Sequence, residues 1–253
     1  MEAKKEKGTK LYHHLKKWLE KAVMDFGMIA PGDKVLVGIS GGADSFALLD
    51  LLLSPMVFVP PFQVAAVHVD MGFAGSEEDR RVVETYLKTR GIRYVVHETD
   101  YGPLAHSEIN RKNPCFLCSR LRRKRIFETA EELHCNKIAL AHHQDDIIET
   151  LLINLFFGRE ISTMVPVQSV FGGRFHIIRP LTYISEELIK KYAREKGFPV
   201  LPERCPSSAT SRRRYIKELL SRLEKENGEI RHNIWTAMFH VKPDYLLKKG
   251  GVR

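Results

Sequence analysis

Apolar residues recur along the chain in two rhythms. Starting at Leu11, the positions Leu15, Trp18, Leu19, Ala22 and Val23 return every three or four residues between lysines, which predicts an amphipathic leading helix over 11–26. After the turn Pro31-Gly32-Asp33 comes the continuous apolar run Lys34-Val35-Leu36-Val37-Gly38-Ile39, the pattern of a strand buried on both faces. A glycine loop, Ser40-Gly41-Gly42-Ala43-Asp44-Ser45, follows at once, and a helical spacing through Phe46, Leu48, Leu49, Leu52 and Leu53 follows the loop. The alternation continues with a strand over 62–69, a polar helix over 76–89, a strand over 92–97, a helix after Cys115, a strand over 137–141 and a helix from near Gln144. A fifth strand over 175–178 closes on Arg179-Pro180. Beyond Pro199 the pattern turns basic and helical, over 211–222 and 230–241.

Strands alternating with helices predict an α/β fold, a parallel five-stranded sheet with helices on both faces. Ligands of such sheets sit at the carboxyl ends of the strands. The expected organisation is an N-terminal helix (1–30), the α/β domain (31–200) and a helical C-terminal tail (201–253). With 43% hydrophobic residues over 253 positions, the chain has material for one large core and is too apolar to be disordered. The longest apolar stretch, 46–62, is broken by Asp50, Ser54 and three prolines, which excludes a membrane-spanning helix. The charged start has no apolar segment behind it, so no secretory signal is read there and a cytoplasmic protein with reduced thiols is expected. The 40 Lys and Arg against 31 Asp and Glu, a net +9, favour an anionic partner, and the placement of the charge decides which.

The glycine loop between a buried strand and a helix is built to hold an anion. Glycines lack the Cβ that would keep the backbone away, and the helix N-terminus adds partial positive charge. Ser40 and Ser45 can complete a phosphate cradle. Asp44 fits such a site when a divalent cation joins it to the phosphates, as the magnesium complex of ATP brings. Neither G-x-x-x-x-G-K-[ST] nor a G-x-G-x-x-G after a strand occurs, so the two commonest nucleotide loops are absent.

Two further stretches fall on the same predicted sheet edge: His68-Val69-Asp70 at the end of the second strand, and Ala141-His142-His143-Gln144-Asp145-Asp146 at the end of the fourth. The carboxylates of the latter suit magnesium, and a histidine can touch phosphate; the same residues can also cap a helix. Cys115 and Cys118 form a C-x-x-C at a helix start beside Arg120, Arg122 and Arg123, a setting that favours thiolates. A redox dithiol, a structural zinc site and an iron–sulfur site are all open readings of that pair. Cys205, between Pro202 and Pro206, is the one remaining cysteine in a loop, while Cys135 at a helix end reads as a semi-buried thiol.

Taken in order, these motifs resemble the PP-loop ATP pyrophosphatase superfamily, which cleaves ATP between its α and β phosphates. Pro114-Cys115-Phe116-Leu117-Cys118-Ser119-Arg120-Leu121-Arg122-Arg123, Ile178-Arg179-Pro180-Leu181 and Phe198-Pro199 before Cys205 are similar to its tRNA 2-thiocytidine synthetase (TtcA-like) branch. The chain departs from that branch in carrying a single cysteine in Pro202-Glu203-Arg204-Cys205-Pro206. The resemblance implies an adenine nucleotide alpha-hydrolase-like, Rossmann-like fold, and a [4Fe-4S] cluster held by only Cys115, Cys118 and Cys205, its fourth iron open to carry sulfide. It implies that ATP is bound by Gly38, Ile39, Ser40, Gly41, Gly42, Asp44, Ser45, His68, Val69, Asp70, Ala141, His142, Asp145 and Asp146. Catalysis falls to Asp44 and the three cysteines.

The basic runs Arg120, Arg122, Arg123, Lys124, Arg125 and Arg212, Arg213, Arg214 lie close in sequence to those cysteines and suit an RNA backbone, some of them alternatively reaching ATP phosphates. The expected activity is ATP-dependent tRNA thiolation, a cytidine becoming 2-thiocytidine. The expected partners are tRNA, ATP with Mg2+, a sulfur donor (a cysteine desulfurase or free sulfide) and a second copy in a homodimer. The rivals are a 2-thiouridine synthetase of the same superfamily and a zinc-containing RNA-binding module without catalysis.

Overall fold

The computed structural model describes residues 8–110, 114–208 and 211–247; the charged start read at 1–7 and the end of the tail at 248–253 lie outside the described residues. A six-stranded sheet forms the centre, one strand more than the sequence predicts. In chain order its strands are β1 (Lys34–Ile39), β2 (Gln63–Asp70), β3 (Arg93–Glu98), β4 (Lys137–Ala139), β5 (Val167–Val170) and β6 (Phe175–Ile178), arranged as β3-β2-β1-β4-β6-β5. All neighbours are parallel except β5 and β6, which pair antiparallel from Val167 opposite Ile178 to Val170 opposite Phe175. The extra strand escapes sequence reading because it has four residues, two of them exposed, and packs little apolar surface. It joins β6 through Phe171–Gly173, where Gly172 and Gly173 take positive φ, and it covers the sheet edge.

Helices are α1 (Lys10–Asp25), α2 (Ala43–Leu53), α3 (Ser76–Thr89), α4 (Tyr101–Ala105), α5 (Pro114–Glu132), α6 (Gln144–Ile153), α7 (Glu186–Lys196), α8 (Arg212–Glu226) and α9 (Ile230–Ala237). The leading helix is fixed by both ends of its code. Thr9 caps it, accepting the Tyr12 N–H, and Leu15, Leu19, Ala22 and Val23 face the core. Leu15 and Leu19 are fully buried, each contributing about 2 kcal/mol of transfer free energy. One apolar layer gathers α1, α2, α3 and α7 on one face of the sheet, and a second gathers α5 on the other. A third, smaller cluster joins Ile148 of α6 to Ile216 and Leu220 of α8, with Ile234 and Trp235 of α9 against it. The tail is thus docked by its own core.

This topology sets the position of the site. β1 lies at the middle, with β2 on one side and β4 on the other, so the chain leaves its neighbours in opposite directions at the end of β1. The crevice above such a reversal is where α/β sheets take their ligands, and the glycine loop starts there.

Candidate active site

β1 ends at Ile39 and α2 begins at Ala43, with Gly42 as a cap that offers no side chain. Around the loop, the Ser45 hydroxyl donates to the Gly42 carbonyl at 2.9 Å and lies 3.2 Å from the Ser40 hydroxyl, which in turn accepts the Gly42 N–H at 3.2 Å. Gly41 has φ +88°, and a Cβ there would stand 2.3 Å from Leu201 Cδ1. The Leu201 N–H donates to the Gly41 carbonyl at 2.9 Å, so the loop is clasped by the segment that leads to Cys205. Asp44 lies in the first turn of α2, and its Oδ1 is buried without a hydrogen-bond partner. Burial pushes its carboxyl above the usual range, against the pull of His143, whose Nε2 is 4.0 Å away. Among the described residues no three His, Cys, Asp or Glu side chains are grouped to hold a metal ion by themselves. One orphaned carboxylate beside a phosphate cradle instead fits Mg2+ arriving with its phosphates, since that ion keeps few protein ligands.

On the nucleoside side, His68 Nδ1 is 2.9 Å from the Ile39 carbonyl, and burial lowers the imidazole pKa, which keeps the ring neutral. Asp70 serves the local chain: it accepts the Gly72 N–H at 2.9 Å and stands 3.4 Å from Arg80. Val69 is buried in the layer covered by α5, Ala141 packs on the opposite layer, and a Cβ on Gly38 would press on Leu140 at 3.1 Å. His142 follows β4 at the sheet edge with a buried Nδ1 that has no partner, and burial takes its pKa to about 4, so it is uncharged at neutral pH.

The acidic pair is held differently from the magnesium role expected of it. His143 caps α6 in a reciprocal box with Asp146, whose Oδ2 accepts the His143 N–H at 3.1 Å. Asp146 Oδ1 accepts from Arg213 at 2.5 Å; Asp145 Oδ1 accepts from Arg231 at 2.8 Å and Oδ2 from the Glu186 N–H at 2.7 Å. The four oxygens of both aspartates are engaged, two of them by arginines of α8 and α9. Sequence patterning could not have found these partners, because they lie 67 and 86 residues away.

Glu149, one turn further along α6, is fully buried, and neither oxygen has a hydrogen bond; Arg213 and Lys217 are each 3.7 Å away. Burial raises its pKa to about 7 despite those cations. A raised folded-state value means that this group stabilises the fold below its ordinary value of 4.5 and that the contribution is lost as pH rises through about 7. Glu149→Gln mimics the protonated form and leaves Arg213 with Asp146 and Lys217 with Glu186. The variant is expected to melt no lower than wild type at about pH 5 and higher at about pH 8, a difference that differential scanning calorimetry reads directly.

The cysteine corner forms at the start of α5. Cys118 is half-buried, and burial raises its thiol pKa; Arg122 opposes this, while Cys205 and Cys115 act in the same direction as burial. Burial lowers the pKa of the Arg122 guanidinium, against the pull of Cys118 and Glu203, and its charge is also felt at His68. The Cys205 loop has three anchors: Leu201 on Gly41, Arg204 bidentate on Asp79 of α3 at 2.8 and 2.9 Å, and Ser207 2.9 Å from His106 Nε2. Arg204 lies over Gly75, whose Cβ would meet it at 2.6 Å. Cys135 is buried in the α5 layer, as expected of an inert thiol.

The basic residues divide by what they already hold. Arg120 and Arg123 are exposed, Lys124 and Arg125 pair with Glu128, Arg214 pairs with Glu218, and Arg213 is committed to Asp146. Arg212 lies over the Phe157 ring, 4.9 Å from its centroid. Arg179, which the sequence reading left without a role, is buried at the end of β6 and donates to the Val165 carbonyl at 2.5 Å; burial holds its pKa at about 10. A strand of hydrophobic residues that ends in Arg-Pro was the signal for it.

A phosphate loop at the reversal of an α/β sheet, clasped by the segment that leads to Cys205, defines a nucleotide-binding α/β protein. The chain matches the PP-loop domain over residues 10–223 and belongs to that family. It is similar to the tRNA-cytidine(32) 2-sulfurtransferase of Cupriavidus necator, with 41% identity over 89% of this chain and 72% of that protein. The enzyme of the same name from Geobacter sulfurreducens is 38% identical over 93% of both chains. Among solved structures, the U34-tRNA thiolase NcsA of Methanococcus maripaludis with its [4Fe-4S] cluster shares the fold at TM-score 0.74, with 24% identity over 92% of this chain and 80% of that one. The helix-on-sheet architecture expected from the sequence is therefore that of the family. No described helix is long and apolar enough to cross a membrane.

Proposed function

We propose that this chain is an ATP-dependent tRNA sulfurtransferase of the cytoplasm that converts cytidine to 2-thiocytidine. The observation that carries the reading is the clasp between Leu201 and Gly41, which ties the phosphate loop to the loop bearing Cys205 in a chain similar to tRNA-cytidine(32) 2-sulfurtransferases. The loop amides and the α2 N-terminus hold the ATP phosphates, and Asp44 receives the magnesium that accompanies them. The carbonyl oxygen at C2 of the base attacks the α phosphate and pyrophosphate leaves, which turns a poor leaving oxygen into AMP. Neutral His142 and His68 border the crevice without adding charge that would compete with the loop for phosphate. Cys115, Cys118 and Cys205 are a donor set of three thiolates, which suits a [4Fe-4S] cluster with one iron left free of protein. When bound, that cluster supplies the sulfur that replaces AMP, delivered by sulfide or a cysteine desulfurase. Arg122, whose charge acts on Cys118, balances thiolate charge.

The test is single-turnover reaction of anaerobically reconstituted protein with unmodified tRNA, Mg-ATP and sulfide, followed by mass spectrometry of the nucleosides. 2-Thiocytidine formed with equal AMP and pyrophosphate is the expected result. 2-Thiouridine, or no thiolated base, overturns the reading. The second anchor makes a separate prediction: Arg204→Ala frees the Cys205 loop from Asp79, and iron retention is expected to weaken by about tenfold or more, as for other residues that orient a metal ligand. Iron and acid-labile sulfide per chain, measured beside an unchanged melting temperature, check it.

A further inference from the structure

The C-terminal end of α6 widens into a π-helical turn, Asn154–Gly158, and then turns through Arg159 at φ +60°. Such turns and left-handed non-glycine residues are held by the surrounding structure and are frequent at functional sites. Here they put Leu155, Phe156 and Phe157 on the surface, at 45%, 51% and 42% exposure, beside Tyr215 of α8 at 51%. The Phe157 ring meets Phe156 and Tyr215 edge-on, with centroids 6.5 and 6.1 Å apart, so open ring faces remain. Arg212 covers Phe157, and neither Arg212 nor Arg159 pairs with a carboxylate among the described residues. Arg212 and Arg213 leave neighbouring positions of α8 in two directions, one over this surface and the other to Asp146 at the nucleotide edge. The aromatic surface therefore begins one residue from a group that borders the crevice.

We propose that Phe156, Phe157 and Tyr215, with Arg212 and Arg159, form a stacking platform for unpaired RNA bases. Aromatic rings accept base faces of any sequence, and flanking unpaired arginines stack on bases or hold the intervening phosphates. A second copy of a chain with net charge +9 adds positive charge to this surface, whereas an RNA backbone neutralises those guanidiniums, so the charge favours RNA over a second copy of the chain. The inference rests on the tRNA substrate proposed above and adds where the unpaired part of that substrate lies.

The test compares two fluorescent RNAs, a hairpin with an unpaired cytidine-containing loop and a blunt duplex of the same stem, by anisotropy at fixed salt. Phe157→Ala is expected to weaken hairpin binding about tenfold with duplex binding unchanged, and Phe157→Trp is expected to restore it. Phe156→Ala, at an equally exposed site, reports independently of any folding defect in the first variant. Calorimetric ATP binding is expected to stay at the wild-type value. Equal losses for hairpin and duplex, or wild-type binding by both alanine variants, overturn the platform. So does light scattering that shows a wild-type dimer split to monomers by Phe157→Ala with RNA binding intact, which makes the surface an interface between copies. Failure of the wild-type protein to bind either RNA overturns the tRNA reading itself, and the platform with it.

Discussion

Gly41→Ala is expected to abolish useful ATP binding while leaving most of the protein folded. At φ +88° an alanine meets the left-handed penalty of about 1–2 kcal/mol, and its methyl would lie 2.3 Å from Leu201 Cδ1 and 2.8 Å from Cγ. Leu201 cannot retreat freely, because its own N–H holds the Gly41 carbonyl, so the overlap adds overpacking strain of about 1–3 kcal/mol. Either outcome damages the site: the phosphate loop shifts from its cradle, or the 199–208 segment lifts and takes Cys205 with it. Since each 1.36 kcal/mol is tenfold in rate, thiolation kcat/KM should fall by about a hundredfold or more. The double variant Gly41→Ala/Leu201→Ala removes the overlap and leaves the backbone penalty, so it should recover part of the loss. Calorimetric ATP affinity equal to wild type in Gly41→Ala would show that the cradle is not where phosphate binds.

The second large effect is structural. Arg213→Ala removes the cation that Asp146 accepts at 2.5 Å and one of the two near Glu149, leaving buried carboxylates behind. Stripping one partner from a buried pair costs about 3–5 kcal/mol when the remaining charge has no escape. Here two features reduce it: the Arg213 side chain is 43% exposed and already partly screened, and Glu149 can take a proton near neutral pH. A loss of roughly 2–3 kcal/mol is therefore expected, which for a domain of this size lowers Tm by about 4–12 °C. Asp146→Asn in the same background should cost less than it does in wild type, because the two residues share one interaction. Equal Tm for Arg213→Ala and wild type would mean that the tail is held by the Ile148–Ile216–Leu220 cluster alone.

Much of the frame was legible before any coordinates. The alternation of runs locates α3 over 76–89 to the residue, and β1 and its glycine loop likewise, because a buried parallel strand is a continuous apolar run and the loop chemistry that follows it is local. His142 and His143 illustrate the limit. They are neighbours in a single motif, yet the structure gives one a buried, unpartnered nitrogen and makes the other a helix cap. Asp145 and Asp146 read naturally as cation ligands at a sheet edge, and their arginine partners come from helices that no local pattern ties to α6.

The net charge of +9 and the four cysteines belong to composition, and composition assigned neither its task. Sequence pattern alone established the α/β fold and the phosphate loop, since each depends on spacing within a few residues; the grouping of Cys115, Cys118 and Cys205 came only from the family resemblance. Tertiary structure decided which charges remain free. Arg213 and Arg231 are consumed by buried aspartates, and Arg212 is left on an aromatic surface. A charge acts on whatever folding sets within a few ångströms of it, and in this chain those neighbours come from α6, α8, α9 and the Cys205 loop, far apart in sequence.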